Sequence, residues 1–260
     1  MKTKVFSLFM LCLGVQSLMF GQAKDMVLIE GSRYIPLYGR DSTVVEVKDF
    51  KMDIYPVSTE NYKQFLKDNP KWRKSKIVSL FADKSYLSNW KTDLEPNDSI
   101  HPNSPVNYVS WFAAKAYCEC QNKRLPTIDE WEYVAMADET TKDARVKPSY
   151  NAQILAWYEA PRTKENRIGE TPKNAWGVYD LHGLVWEWTL DFNSVLITGE
   201  SRKDVDKDSN LFCGSAAVNA TDLMNYAAFM RYAIRGSLKA KYSMKNLGFR
   251  CVQDIKKENK

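Results

Sequence analysis

The chain has 260 residues, 44% of them hydrophobic, and a formal net charge of +5. That is long and apolar enough for one large domain with a sizeable core. The charges are scattered and form no basic stripe of the kind that neutralises phosphates, which excludes nucleic acid as a partner; with only His101 and His182 present, a site built from several imidazoles is excluded as well.

The chain opens with Lys2 and Lys4 before the apolar run Val5 to Phe20, and Gly21-Gln22-Ala23 sets small residues at the −3 and −1 positions of a cleavage site. Residues 1–23 therefore read as a secretory signal peptide. The run is short for a spanning helix and lacks a second charged flank. Cys12 follows Leu11, where a lipid-anchored precursor needs a small residue. The expected mature protein starts near Lys24, is periplasmic or secreted, and keeps no membrane segment after cleavage. Four cysteines remain in it, Cys118, Cys120, Cys213 and Cys251, and an even number in an exported chain favours disulfides over free thiols.

From Met26 to Met52 apolar and polar residues alternate between Gly31, Gly39 and Asp41, which reads as short strands. Ser58 or Thr59 then caps a helix carrying Tyr62, Phe65 and Leu66 on one face. Residues 68–105 are polar and irregular, with Trp72, Phe81, Tyr86 and Trp90 as anchors. Ser110 opens a second helix bearing Trp111, Ala114, Tyr117 and Cys118 at helical spacing. Thr127-Ile-Asp-Glu130 fits a capping box, in which hydroxyl and carboxylate satisfy free N–H groups, ahead of a helix burying Trp131, Val134 and Ala135. Beyond about residue 140 the pattern predicts mostly turns and short strands, with polar loops at 162–174 and 198–210. Residues 24–255 read as one α+β domain of low regular content, and 256–260 as a solvated basic tail.

Two segments carry the chemistry. Trp176-Gly-Val-Tyr-Asp-Leu-His-Gly-Leu-Val-Trp-Glu-Trp188 packs three tryptophans, two glycines and two carboxylates into a stretch that no amphipathic helix needs. Asp180 and Glu187 straddle Gly183 at a spacing that suits a loop wrapping a hard cation, or, more simply, two carboxylates bonding backbone N–H groups. His182 in the same loop reads as a packed or solvent-facing side chain and not as a ligand. In residues 214–238, Asp222, Tyr226, Phe229 and Met230 share a face if Thr221 caps a short helix. Arg231 and Arg235 follow, either as ligand-binding groups or as partners of acidic residues.

Several stretches occur together in order: Pro105-Val-Asn-Tyr-Val-Ser-Trp111, Ala116-Tyr-Cys118, Lys123-Arg-Leu-Pro-Thr127, Glu130-Trp-Glu-Tyr133, Trp176 through Trp188 and Gly248-Phe-Arg-Cys251. Over the whole mature chain they resemble the formylglycine-generating enzyme family, also called sulfatase-modifying-factor domains. The resemblance implies a variant of the C-type lectin fold, with two helices packed on sparse, twisted strands and long loops. It implies a disulfide between Cys118 and Cys251, and a structural calcium ion held by Asp180 and Glu187 with the carbonyls of Gly183 and Val185. It also implies a cleft that takes in Trp186, Ser215, Arg231 and Arg235, and Asn219 and Asp222 join the two arginines as the candidate polar binding surface.

The family's enzymes oxidise a cysteine to formylglycine with oxygen and a copper ion held by two cysteines beyond a Gly-Gly-Ser segment. That segment resembles Phe212-Cys-Gly-Ser215 here, and the two thiolate positions hold Val218 and Leu223. Soft Cu(I) needs sulfur ligands that neither residue supplies, so the family's oxidation is not expected by its usual route. Cys120 and Cys213 remain. They form either a second disulfide or a thiol pair for copper, with Met224 or Met230 as thioether ligands. Cys118 and Cys120, two apart on a helix, point to nearly opposite sides and do not share a site. Two functions follow: a non-catalytic binding or maturation factor for a periplasmic partner protein, or a copper-dependent oxidase with a rearranged site at Cys213 and Cys120.

Overall fold

The structure is a computed structural model, and it describes residues 26–37, 43–159, 166–194 and 223–255. Its central element is β4 (Phe50–Asp53), flanked antiparallel by β1 (Met26–Ile29) and β7 (Val252–Asp254). A small antiparallel pair joins β2 (Arg33–Tyr34) to β3 (Val45–Glu46), and a parallel pair joins β5 (Trp186–Glu187) to β6 (Leu247–Gly248). Among the described residues, five α-helices accompany them: α1 (Thr59–Asp68), α2 (Trp111–Cys120), α3 (Ile128–Ala135), α4 (Pro148–Glu159) and α5 (Leu223–Ser237). The α+β class with sparse strands is as expected.

The first three helices start where the sequence puts polar caps. Ser58 Oγ accepts from Asn61 N at 3.1 Å, and Ser110 Oγ accepts from Ala113 N at 3.3 Å. Thr127 and Glu130 form the capping box, Thr127 N donating to Glu130 Oε2 at 2.8 Å and Glu130 N to the threonine hydroxyl at 3.2 Å. Each such cap is worth about 1 kcal/mol.

Two hydrophobic cores result. In one, Tyr62 and Phe65 of α1 meet Tyr117 of α2, which packs on Phe249 with ring centroids 5.3 Å apart. In the other, Ile29, Phe50, Met52 and Val252 of the sheet bury α3 through Trp131 and Val134, together with Trp176 and Val178. The irregular stretch after α1 is fastened by its aromatics: the Tyr62 and Tyr86 hydroxyls lie 2.7 Å apart, and Tyr86 also donates to Trp72 O at 2.8 Å. Trp72, Tyr86 and Trp90 are buried there, whereas Phe81 is exposed. Cys118 and Cys251 are bridged, with Cα atoms 5.6 Å apart and a sequence separation of 133, which ties α2 to the residue before β7. At Gly248 a Cβ would lie 2.6 Å from Val106 O, so only glycine lets β6 run this close to its neighbour.

The stretch beyond residue 140 departs from expectation, because α4 and α5 are helical and pack on each other. Pro148 suits the first position of α4, but Tyr150, Ile154, Leu155, Trp157 and Tyr158 surround most of its circumference, so no single apolar stripe announces it. On α5 the shared face is also different: Tyr226 is 39% exposed, while Ala227, Ala228, Arg231, Tyr232 and Arg235 turn inward. Asp222, assigned to that face, lies outside the described residues.

Candidate functional site

The tryptophan-rich loop is held by its own backbone and short polar side chains. Asn174 Oδ1 accepts from Trp176 N and Val178 N, both at 3.1 Å. The chain then passes through left-handed backbone at Gly177 (φ 84°), Asp180 (φ 58°) and Gly183 (φ 80°), which glycine adopts freely and aspartate tolerates. The Asp180 carboxylate takes Gly169 N at 2.6 Å and the Thr171 hydroxyl at 2.7 Å.

Glu187, on β5, faces a different direction. Its carboxylate lies against Arg250, with Nε 2.8 Å from Oε2 and Nη2 2.8 Å from Oε1, and Trp131 Nε1 donates to Oε2 at 2.8 Å. The same guanidinium reaches the carbonyls of Asp53, Ile54 and Tyr179. Asp180 and Glu187 thus bind separate protein donors and line separate cavities. In the implied set Asp180, Gly183, Val185 and Glu187, both carboxylates are engaged by protein donors, whereas a calcium ion wants six to eight oxygens free to turn towards it. The plainer reading, carboxylates that fasten a loop, describes Asp180; Glu187 is an internal ion pair.

Arg231 and Arg235 converge on a residue that sequence reasoning passed over. Both guanidinium groups of α5 meet Glu132 of α3: Arg231 Nε is 2.9 Å from Oε1 and its Nη2 is 2.7 Å from Oε2, while Arg235 Nη1 is 2.6 Å from Oε1. All three side chains are buried. Burial alone would raise the Glu132 pKa, but the two guanidiniums outweigh it and hold the carboxyl at about 2. Desolvation pulls the other way on Arg231 and is overcome by Glu132, so its pKa stands well above the ordinary value.

His182 extends this polar cluster. The ring is buried; Nε2 lies 3.0 Å from Ala135 O and 3.3 Å from the Tyr150 hydroxyl, and Nδ1 lies 3.3 Å from the Tyr158 hydroxyl. Arg231 Nη1 in turn donates to the Tyr158 hydroxyl at 3.4 Å. Burial raises the Tyr158 pKa, so its hydroxyl keeps its proton. His182 is therefore a packed histidine, as its isolation in sequence predicts.

Beside this cluster opens a cleft of about 290 Å³. Its walls are aromatic and aliphatic: Trp131, Trp157, Tyr158 and Trp186 stand with Leu184, Ile234 and Leu238, and Arg235 supplies a buried cation. The Tyr158 and Trp186 ring centroids are 4.8 Å apart. Arg235 lies over the Trp131 face, its guanidinium carbon 4.9 Å from the ring centroid. Of the expected cleft residues, the structure brings together Trp186, Arg231 and Arg235, the second standing behind the wall. Ser215, Asn219 and Asp222, with Cys213 and Val218, lie outside the described residues. Leu223 opens α5. Cys120 is a free, exposed thiol at the end of α2, its Sγ 3.6 Å from Asn69 Oδ1, and it does not line the cleft; its expected pairing with Cys213 involves a residue outside the described ones. Among the described residues no group of three or more histidine, cysteine or acidic side chains is arranged to hold a metal.

The sulfatase-modifying factor enzyme 1-like domain matches residues 16–255. The chain belongs to that family. It is 26% identical over 291 residues to the bovine protein named inactive C-alpha-formylglycine-generating enzyme 2, covering 89% of each chain. It is 28% identical over 259 residues to the mouse formylglycine-generating enzyme, covering 81% of this chain and 67% of that one. Among solved structures, PvdO from Pseudomonas aeruginosa superposes with a TM-score of 0.51 at 17% identity, covering 88% of this chain and 94% of the other, which establishes the fold alone. The sulfatase-modifying-factor-like chain therefore carries its family's architecture, and its cleft is lined by aromatic residues of α4 and by Arg235 of α5.

Proposed function

We propose that this chain is a non-catalytic binding module of the formylglycine-generating enzyme family. In this reading it is exported and serves as an accessory or maturation factor for a periplasmic partner enzyme. The observation that carries the first part is the replacement of the family's two thiolate positions by Val218 and Leu223, neither of which binds copper. The likeness to a bovine relative named inactive supports it. So does the chemistry of the cleft: an aromatic wall beside a buried ion cluster suits recognition, and Glu187 at the cleft is held in an internal ion pair. The only free thiol among the described residues, Cys120, stands at the end of α2 and not at the cleft.

The test uses the mature protein purified from its native compartment. Metal analysis, oxygen consumption with a cysteine-containing peptide, and affinity capture are run on one preparation, with a Trp157→Ala variant as the control for the cleft. A protein that holds no copper, consumes no oxygen and captures one exported enzyme only when Trp157 is intact supports the reading. Stoichiometric copper with peptide-dependent oxygen uptake, lost in a Cys120→Ser or Cys213→Ser variant, overturns it in favour of the rearranged oxidase.

A further inference from the structure

Arg235 is the most informative group in the cleft, because its charge is only half matched. Its side chain is 4% exposed, and of its guanidinium N–H groups only Nη1 finds a hydrogen-bond acceptor among the described residues, Oε1 of Glu132. That carboxylate is already gripped through both oxygens by Arg231. One buried anion therefore serves two buried cations. Among the described residues, the other carboxylates nearby are committed elsewhere or solvated. Glu187 is paired with Arg250, Asp191 Oδ1 accepts from Ile128 N, Asp129 accepts from the Tyr34 hydroxyl, and Glu159 stands exposed on the rim. A buried cation with idle donors is costly unless an anion or carbonyl completes it, and Arg235 lines the cleft, where a ligand can.

We propose that the cleft binds a ligand with a carboxylate head and an apolar, preferably aromatic, body, the carboxylate capping the unused edge of Arg235. The proposal rests on the reading of the cleft as a binding site and deepens it. The planar fork of arginine matches a carboxylate in two parallel hydrogen bonds, which a lone ammonium does not do. The ring of Trp131 lies under the guanidinium and fixes its plane, and Trp157, Tyr158 and Trp186 supply faces on which an aromatic body stacks. The cleft volume of about 290 Å³ holds a group of the size of a phenyl or indole ring with a short acid arm. Such a head-and-body ligand is either a free aromatic acid or the C-terminal residue of a peptide, and both present the same chemistry.

The deciding experiment is calorimetric titration of the mature protein with 3-phenylpropionate, 3-phenylpropionamide, and a tripeptide ending in phenylalanine as free acid and as C-terminal amide. The acid form is expected to bind about tenfold or more tightly than its amide, the difference a charge-assisted bond supplies. In Arg235→Lys, which keeps the charge and drops the fork, the preference shrinks; in Arg235→Met it vanishes. Far-ultraviolet circular dichroism confirms that each variant is folded, and Trp157→Ala, which leaves the Glu132 cluster untouched, is expected to weaken the acids whatever becomes of the Arg235 variants. Small acid and peptide acid binding alike points to a free ligand, and peptide acid binding much tighter points to a chain end; either supports the proposal. Equal affinity for acid and amide, a preference that survives in Arg235→Met, or no binding of any acid at millimolar concentration overturns it. Should Trp157→Ala abolish partner capture while no acid binds, the cleft remains a binding site and only its carboxylate chemistry is wrong.

Discussion

Arg250 and Glu187 meet with neither side chain exposed at all, Nε standing 2.8 Å from Oε2. The pair joins the residue before Cys251 to the end of the tryptophan-rich loop, and Trp131 of α3 hydrogen-bonds the same carboxylate. Removing one partner leaves a buried charge with nothing to answer it. Glu187→Gln is expected to cost about 3–5 kcal/mol, measured by urea unfolding. Because this carboxylate is occupied by protein groups, adding calcium or chelator to the wild type should leave Tm where it was; a calcium-dependent rise would show that the loop rearranges to bind the ion.

The Glu132 cluster gives a pH dependence with a definite sign. Its folded pKa of about 2 lies below the ordinary 4.5, held down by Arg231 and Arg235 against the opposing effect of burial. A depressed carboxyl binds fewer protons in the folded than in the unfolded state. Its stabilisation is thus fully present above about pH 4.5 and drains away as pH falls towards 2. Urea unfolding of wild type and Glu132→Gln at a series of pH values should show a gap that narrows across this window. A constant gap would mean that the carboxyl does not titrate there.

The Cys118–Cys251 bridge closes a loop over a sequence separation of 133 residues. In the chain-entropy treatment such a loop is worth about 4–5 kcal/mol. The Cys118→Ala, Cys251→Ala double variant should shift the urea midpoint down, with a steeper transition because the unbridged denatured chain exposes more surface.

Cys120 should react with iodoacetamide in the native protein, whereas Cys118 and Cys251 should need reductant and denaturant first. Peptide mapping by mass reads this directly. Recovery of Cys120 linked to Cys213 would contradict the free thiol.

Local chemistry was legible, distant pairing was not. Ser58, Ser110 and Thr127 announce their helices because a cap is decided within four residues. The strands before Met52 were likewise readable, His182 was left as packed or solvent-facing, and the family's motifs implied the Cys118–Cys251 bridge. Helix α4 was not readable, since apolar residues on nearly every side erase the period that a half-buried helix shows. Glu132 was missed for another reason. Its partners Arg231 and Arg235 lie 99 and 103 residues away, and nothing in a helix rich in tryptophan and tyrosine marks one glutamate as the anchor of two arginines. The separate protein partners of Asp180 and Glu187 were not legible either, because sequence spacing fixes which carboxylates share a loop but not which donors each meets.

The sheet order β1-β4-β7 has a bearing on how the chain reaches this state. During synthesis β4 acquires its first neighbour early, from the segment just before it, but its second edge stays open until Val252–Asp254 arrives. The same late segment brings Arg250 to Glu187 and Cys251 to Cys118. Until then Glu187 and the free edge of β4 lack their partners. The final stretch acts as a clasp, and a chain that lacks Arg250 to Asp254 should be a target for proteases and not a smaller working domain.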